Sequence, residues 1–121
     1  MINLLLVEDE DQTRESIRQY LSRALDCQIQ EASSGEDALD KMKQNEFDLI
    51  ILDIRLPGLS GLDVLKQTRD KKLKFLVISG YDSIQVAEEA LNEGAADYIT
   101  KPFSMQILGQ KIKQILSLTS G

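Results

Sequence analysis

Phe47-Asp48-Leu49-Ile50-Ile51-Leu52-Asp53 is the stretch on which the fold turns. Four consecutive aliphatic residues, Leu49 to Leu52, leave no polar position to face water. A strand here is buried on both faces and belongs inside a sheet rather than at its margin. A second run of the same kind, Ile2-Asn3-Leu4-Leu5-Leu6-Val7, ends in Glu8 and Asp9, as the first ends in Asp53. Two central strands that each deliver carboxylates at their last turn define both an architecture and a site.

Working outward, short apolar runs alternate with segments of helical period. Residues 12–25 carry Ile17, Tyr20, Leu21, Ala24 and Leu25 at helical spacing, which predicts one apolar face. Residues 28–32 read as a short alternating strand. Ser34 with Asp37 resembles a capping box opening a second helix to about Gln44, with Ala38, Leu39 and Met42 inward. Residues 47–52 are the next strand, and residues 56–61, with Pro57, Gly58 and Gly61, a loop. A third helix is expected over 62–69 with Leu62, Val64 and Leu65 inward, then a strand over 75–79. Asp82 or Ser83 is a candidate cap for a fourth helix to about Glu93, with Gly94 as its left-handed terminator. Residues 96–99 form a fifth strand. Ser104 caps a last helix with the stripe Ile107, Leu108, Ile112, Ile115 and Leu116. Five strands alternating with five helices imply right-handed βαβ units, a five-stranded parallel α/β sheet and helices on both faces.

The 121 residues suit one domain, and 42% apolar content is enough for a packed core without staples. Fourteen basic residues against twenty acidic give a net charge of −6, which argues against direct contact of this domain with nucleic acid. The chain has no histidine, so a Ser-His-Asp triad, a Cys-His pair or a His-ligated zinc is excluded. The lone Cys27 has no partner for an internal disulfide, reads as a small buried hydrophobe and fits a reducing cytosol, hence a cytoplasmic location. The first seven residues lack the basic start of a signal peptide, and no apolar run approaches the ~20 residues of a membrane span. Residues 118–121 read either as the start of a linker to an output domain or as a bare chain end.

In an open α/β sheet the ligand crevice lies beyond the carboxyl ends of the strands. Glu8, Asp9, Asp53, Ser79, Thr100 and Lys101 all fall there. Like charges ~5 Å apart at an effective dielectric of 20 repel by roughly 3 kcal/mol, so three carboxylates at one sheet end call for a cation. All-oxygen donors and high negative charge suit Mg²⁺. Read by itself, Glu8-Asp9-Glu10-Asp11 is also an acidic helix entry that favours a positive dipole end; Asp53, arriving from a separate strand, weighs against that reading. A carboxylate at position 53 is placed to act as a nucleophile and form an acyl phosphate, rather than only to cap the following loop. Lys101, set before Pro102, would aim an ammonium at Asp53 and then at phosphoryl oxygens. Ser79 would donate its hydroxyl to a phosphoryl oxygen. Thr100 is the weaker candidate, because strand alternation from Tyr98 points it elsewhere.

At these residues the chain closely resembles a response-regulator receiver domain of two-component signalling. The resemblance runs over nearly the whole chain, 1–121. It is carried by Leu4-Leu5-Leu6-Val7-Glu8-Asp9-Glu10, by the fourteen residues from Asp48 to Gly61, and by Gly94-Ala95-Ala96-Asp97-Tyr98-Ile99-Thr100-Lys101-Pro102-Phe103. It implies a flavodoxin-like sheet in the strand order 2-1-3-4-5. It implies that Asp53 accepts a phosphoryl group from the phosphohistidine of a sensor histidine kinase. Glu8, Asp9, Asp53 and the backbone carbonyl of Arg55 would hold Mg²⁺, and Lys101 would contact the phosphoryl group. Ser79 and Tyr98 would be the switch pair, with Tyr98 passing from an exposed to a buried rotamer, and the Lys101-Pro102 bond would be cis. The surface of residues 82–91, 96–99 and 104–116 would be the output face, where a second copy or a transcription output domain docks.

The chain departs from the family pattern in places. Glu8 stands where Asp is common, so its metal contact would run through water. Ser79 stands where Thr is more frequent. Arg55 and Tyr81 flank the acceptor and the switch hydroxyl, where they bear on the hydrolytic water. Ser79-Gly80-Tyr81-Asp82 and Ala95-Ala96-Asp97-Tyr98 resemble receivers that precede ATPase or DNA-binding outputs.

Three rival readings fare worse. A phosphatase with an aspartate nucleophile needs a second acid two residues on, where this chain has Arg55. A flavin-binding domain of this topology needs a phosphate-cradling first loop, and residues 8–11 would repel the phosphate. A degenerate receiver that only binds partners has no need of the retained Asp53, Lys101 and acidic pair.

Overall fold

The computed structural model describes residues 1–80 and 84–117. The expected cap at Asp82 or Ser83, Tyr81, and the expected linker at 118–121 lie outside the described residues. In chain order the elements are β1 (Ile2–Val7), α1 (Asp11–Ala24), β2 (Cys27–Ala32), α2 (Gly35–Gln44), β3 (Leu49–Asp53), α3 (Gly61–Gln67), β4 (Phe75–Gly80), α4 (Ile84–Asn92), β5 (Asp97–Lys101) and α5 (Met105–Ile115). The strands form one parallel sheet in the order β2-β1-β3-β4-β5. The alternation of strands and helices foretold this architecture.

Two-residue alternation along the central strands builds a core on each face. Leu4, Leu6, Leu49, Ile51, Leu76 and Ile78 meet Ile17 and Leu21 of α1 and Leu108 and Ile112 of α5. Leu5, Val7, Ile50, Leu52, Phe75 and Val77 meet Ala38 and Met42 of α2, Val64 and Leu65 of α3 and Ala90 of α4. Every residue of β3 is buried, as its unbroken aliphatic run requires. Each such Leu or Ile contributes about 1.5–3 kcal/mol of burial, which is what makes a buried terminal Asp53 affordable. The chain leaves β1 toward β2 on one side and then returns to β3 on the other. That reversal opens the crevice at the carboxyl ends of β1 and β3.

β2 is an edge strand. Gln28 and Gln30 are exposed, and Lys41 of α2 donates its ammonium to the main-chain carbonyl of Glu31. Exposed edge carbonyls are commonly guarded by lysine in this way.

Several boundaries differ from the sequence expectation for local reasons. β3 begins at Leu49 rather than Phe47, because Asp48 is spent on Asn3: each residue's N–H is accepted by the other, at 2.7 Å through the Asn3 carbonyl and 2.8 Å through Asp48 Oδ2. β5 runs on to Lys101, because its ladder with β4 continues through Ser79 opposite Thr100 and Gly80 opposite Lys101. α3 starts at Gly61 behind a capping box in which Ser60 and Asp63 each accept from the other's N–H. Ser34 caps α2 by accepting from Asp37 N–H, and Ser104 caps α5 by accepting from Ile107 N–H. Gly94 has φ +105°, the left-handed terminator its position called for. Ala24 and Ile107, expected on apolar inner faces, are exposed. Cys27 is half-buried rather than buried, and burial raises its thiol pKa.

Candidate functional site

The site is assembled by three strand ends. Val7 of β1 lies beside Leu52 of β3, so Glu8 and Asp53 leave adjacent strands at nearly the same level. Asp53 lies beside Ile78 of β4, one residue before Ser79. Alternation puts Asp53 on the face of Leu49 and Ile51, and Lys101 on the face of Ile99, which is the same α1–α5 face. One oxygen each of Glu8, Asp9 and Asp53 lie within 4.8 Å of one another. Glu8 and Asp53 are buried, and Asp9 is exposed.

Lys101 closes the cluster. Its Nζ lies 3.0 Å from Asp53 Oδ2 and 3.3 Å from Glu8 Oε1. The other Asp53 oxygen, Oδ1, accepts from the Arg55 N–H at 2.9 Å. Burial pulls the Lys101 ammonium toward deprotonation, but the Asp53 and Glu8 carboxylates together outweigh it and hold its pKa above the ordinary lysine value. Glu8 goes the opposite way to an ion-paired acid. Burial first, and then the facing Asp53 carboxylate, push it up to about 8 against the opposing pull of Lys101.

Two buried polar atoms, Glu8 Oε2 and Ser79 Oγ, have no hydrogen-bond partner. An orphaned carboxylate oxygen beside two further carboxylates is matched by a hard cation with oxygen ligands. An orphaned hydroxyl donor at the same sheet end is matched by an incoming acceptor oxygen. The donor set of Glu8, Asp9 and Asp53 therefore fits Mg²⁺.

Thr100 is not part of this cluster. It occupies the β5 position beside Ser79, on the face shared by Tyr98, and lines a groove of about 500 Å³ between β5 and α5 together with Tyr98, Ile107 and Lys111. Tyr98 itself is half-buried against the α2–α4 side of the core. The Lys101-Pro102 peptide is cis, as the resemblance implied. The clamp on the loop after Asp53 was not legible beforehand. Glu36 of α2 reaches across to accept from Leu59 N–H at 3.2 Å, beside Gly58 at φ +72°. The reading of Ser34 and Asp37 as a cap hid the long-range role of the acid between them. No helix among the described residues is long and apolar enough to cross a membrane.

Comparison with known proteins identifies the family and the fold. The family model described as "Response regulator receiver domain" matches residues 4–113. "Response regulator MprA" of Mycobacterium sp. (strain KMS) is 35% identical over 98% of this chain and 52% of that protein. The "Alkaline phosphatase synthesis transcriptional regulatory protein PhoP" of Bacillus subtilis (strain 168) is 38% identical over 93% of this chain and 48% of that protein. The chain thus spans about half the length of these curated relatives. Among solved structures, a response regulator receiver domain protein from Clostridium thermocellum superimposes with a TM-score of 0.90 at 26% identity, covering 97% of this chain and 95% of that one.

Proposed function

This chain belongs to the response-regulator receiver domain family of two-component systems, and on that premise we propose that Asp53 is its phospho-acceptor. The observation that carries the proposal is the buried Asp53 carboxylate, held 3.0 Å from Lys101 and within 4.8 Å of the Glu8 and Asp9 oxygens. An Asp53 oxygen attacks the phosphorus of a phosphohistidine on a sensor histidine kinase. The O–P bond forms, the P–N bond breaks, and the electron pair leaves with the imidazole nitrogen.

Glu8, Asp9, Asp53 and the Arg55 carbonyl would hold Mg²⁺, which when bound neutralises phosphoryl charge and orients the donor. The protein's own groups do the rest. Both Asp53 oxygens are engaged before transfer, Oδ1 by Arg55 N–H and Oδ2 by Lys101. Phosphorylation therefore requires Lys101 to exchange its carboxylate partner for a phosphoryl oxygen. Ser79, whose buried hydroxyl lacks a partner, turns toward the new acceptor. Tyr98, on the face of the sheet that Ser79 shares, follows it inward.

The output is the surface of α4, β5 and α5. Ile84 and Leu91 of α4 and Ile107 of α5 are large apolar side chains left exposed on these elements, and Ile107 lines the groove under Tyr98. A second copy docks on this face once Asp53 is phosphorylated, and in a longer protein a transcription output domain reads the change. The domain works in the cytoplasm, with no contact to nucleic acid of its own, and it is a switch that hydrolyses its own phosphate slowly rather than a conventional enzyme.

Incubation with acetyl phosphate and Mg²⁺ followed by intact mass measurement tests the acceptor. The expected result is a single adduct of about 80 Da that is lost in Asp53→Asn. No adduct on the unaltered protein, or one that persists in the variant, overturns the assignment.

A further inference from the structure

The turn between β1 and α1 carries two of the three clustered carboxylates, and inside it the Thr13 hydroxyl donates to a Glu10 carboxylate oxygen. Glu10, the N-cap of α1, makes no side-chain bond to the amides of the first helical turn. The turn is also fixed from outside. Glu8 N–H donates to the Ala32 carbonyl of β2 at 3.0 Å. The Glu8 carbonyl accepts from Arg14 Nη1 at 2.7 Å. The same guanidinium places Nη2 2.6 Å from Asp11 Oδ1 and Nε 3.4 Å from Glu31 Oε1, next to Ala32. Its side chain is 18% exposed, while Asp11 is almost wholly in water. One planar fork ties together the end of β1, the first turn of α1 and the end of β2.

The Glu8 carbonyl belongs to the peptide unit that joins Glu8 to Asp9. That unit is planar and contains the Cα atoms of both residues. With Glu8 N–H already held by Ala32, a hydrogen bond that fixes this plane restricts ψ of Glu8 and so the direction in which its side chain departs, and it sets the plane from which Asp9 leaves. Building on the reading of Glu8, Asp9 and Asp53 as a divalent-cation site, we propose that Arg14 is a positioning residue for that site, orienting the Glu8–Asp9 peptide through its hold on the Glu8 carbonyl. It touches neither the cation nor the reacting atoms.

The charge on Arg14 and its geometry act in opposite directions. A positive charge near the carboxylates weakens cation binding, whereas an ordered turn strengthens it. Lysine separates the two, because it keeps the charge but offers a compact ammonium in place of the five-donor fork. Mg²⁺ binding to the full chain is measured by calorimetry for the unaltered protein, Arg14→Lys and Arg14→Met. Amide hydrogen exchange is measured on each metal-free protein. Both variants are expected to bind Mg²⁺ about tenfold more weakly, as is usual when a group orienting a metal ligand is removed. Exchange is expected to speed up at residues 8–11 and to stay slow in β3. Arg14→Lys binding as the parent does, with Arg14→Met binding more tightly, would mean that only charge matters and would overturn the proposal. Unchanged affinity in both would overturn it too. If Arg14→Met does not fold, Arg14→Lys carries the test alone. A parent protein that binds no Mg²⁺ would instead reject the reading of the three carboxylates, and the positioning role with it.

Discussion

Gly61 lies so close to Asp53 that a Cβ on it would stand 2.8 Å from the Asp53 carbonyl oxygen and 2.6 Å from Ile54 Cα. Both neighbours are main-chain atoms, and Gly61 N–H donates to the Ile54 carbonyl at 3.0 Å. No rotamer change relieves such a contact. Gly61→Ala is therefore expected to push the Asp53–Ile54 backbone aside and destabilise the protein by about 1–3 kcal/mol. Acyl-phosphate formation with acetyl phosphate should slow in the same variant. Thermal unfolding and intact mass measure the two effects, and an unshifted Tm would show that the loop yields freely.

Glu8 makes stability of the metal-free protein depend on pH in an unusual direction. Its carboxyl titrates at about 8 when folded, against an ordinary value of 4.5. Between those values the folded protein keeps a proton that the unfolded chain has released. Stability from this group is thus fully present below about pH 4.5 and is lost as pH rises through about 8. Melting curves in a chelator should show Glu8→Gln flattening this decline. Added Mg²⁺ should raise the Tm of the parent most at the alkaline end, where it offsets the exposed repulsion. Equal pH slopes for parent and variant would refute the assignment.

Lys101 occupies by proximity much of the electrostatic role a metal would fill, with contacts to two of the three carboxylates. Lys101→Met is expected to tighten Mg²⁺ binding, because a competing cation is gone. It should nevertheless slow phosphoryl transfer, because no ammonium remains to follow the charge onto the phosphoryl oxygens. Calorimetry and the time course of adduct formation read the two opposed effects. A parallel fall in both would mean that Lys101 merely supports the fold.

Ile107 is 44% exposed beside the groove under Tyr98. Beryllofluoride, a mimic of the phosphoryl group, is expected to tighten self-association of the unaltered chain in sedimentation velocity. Ile107→Lys should abolish that response and leave the mimic-free protein unchanged, since the side chain is on the surface. Equal sedimentation of the parent with and without the mimic would reject this face as a docking surface.

The architecture was legible because the strands announce themselves. Leu49 to Leu52 has no polar residue with which to be anything but central, and each strand is separated from the next by one helix. The cluster was legible for the same reason: if the runs are parallel strands, Glu8, Asp53 and Lys101 can only meet at one end. What stayed hidden depends on distance in space rather than pattern. Arg14 reads as one more polar residue on the outer side of α1, and only the fold brings β2 and the Glu8 carbonyl within its reach. Glu36 reads as first-turn acid in α2, and only packing sets it beside Leu59. Ile107 misled in the opposite sense. Its spacing matches Leu108 and Ile112, but the last helix rests on α1 along a narrower stripe than its composition suggests.

The ammonium that Lys41 lays over the rim of β2 has a bearing on how copies of this chain can meet. A neighbour seeking to extend the sheet at that margin would have to displace a hydrated cation from the very oxygen it needs. Strand-to-strand growth into fibres is thereby discouraged at that margin of the sheet.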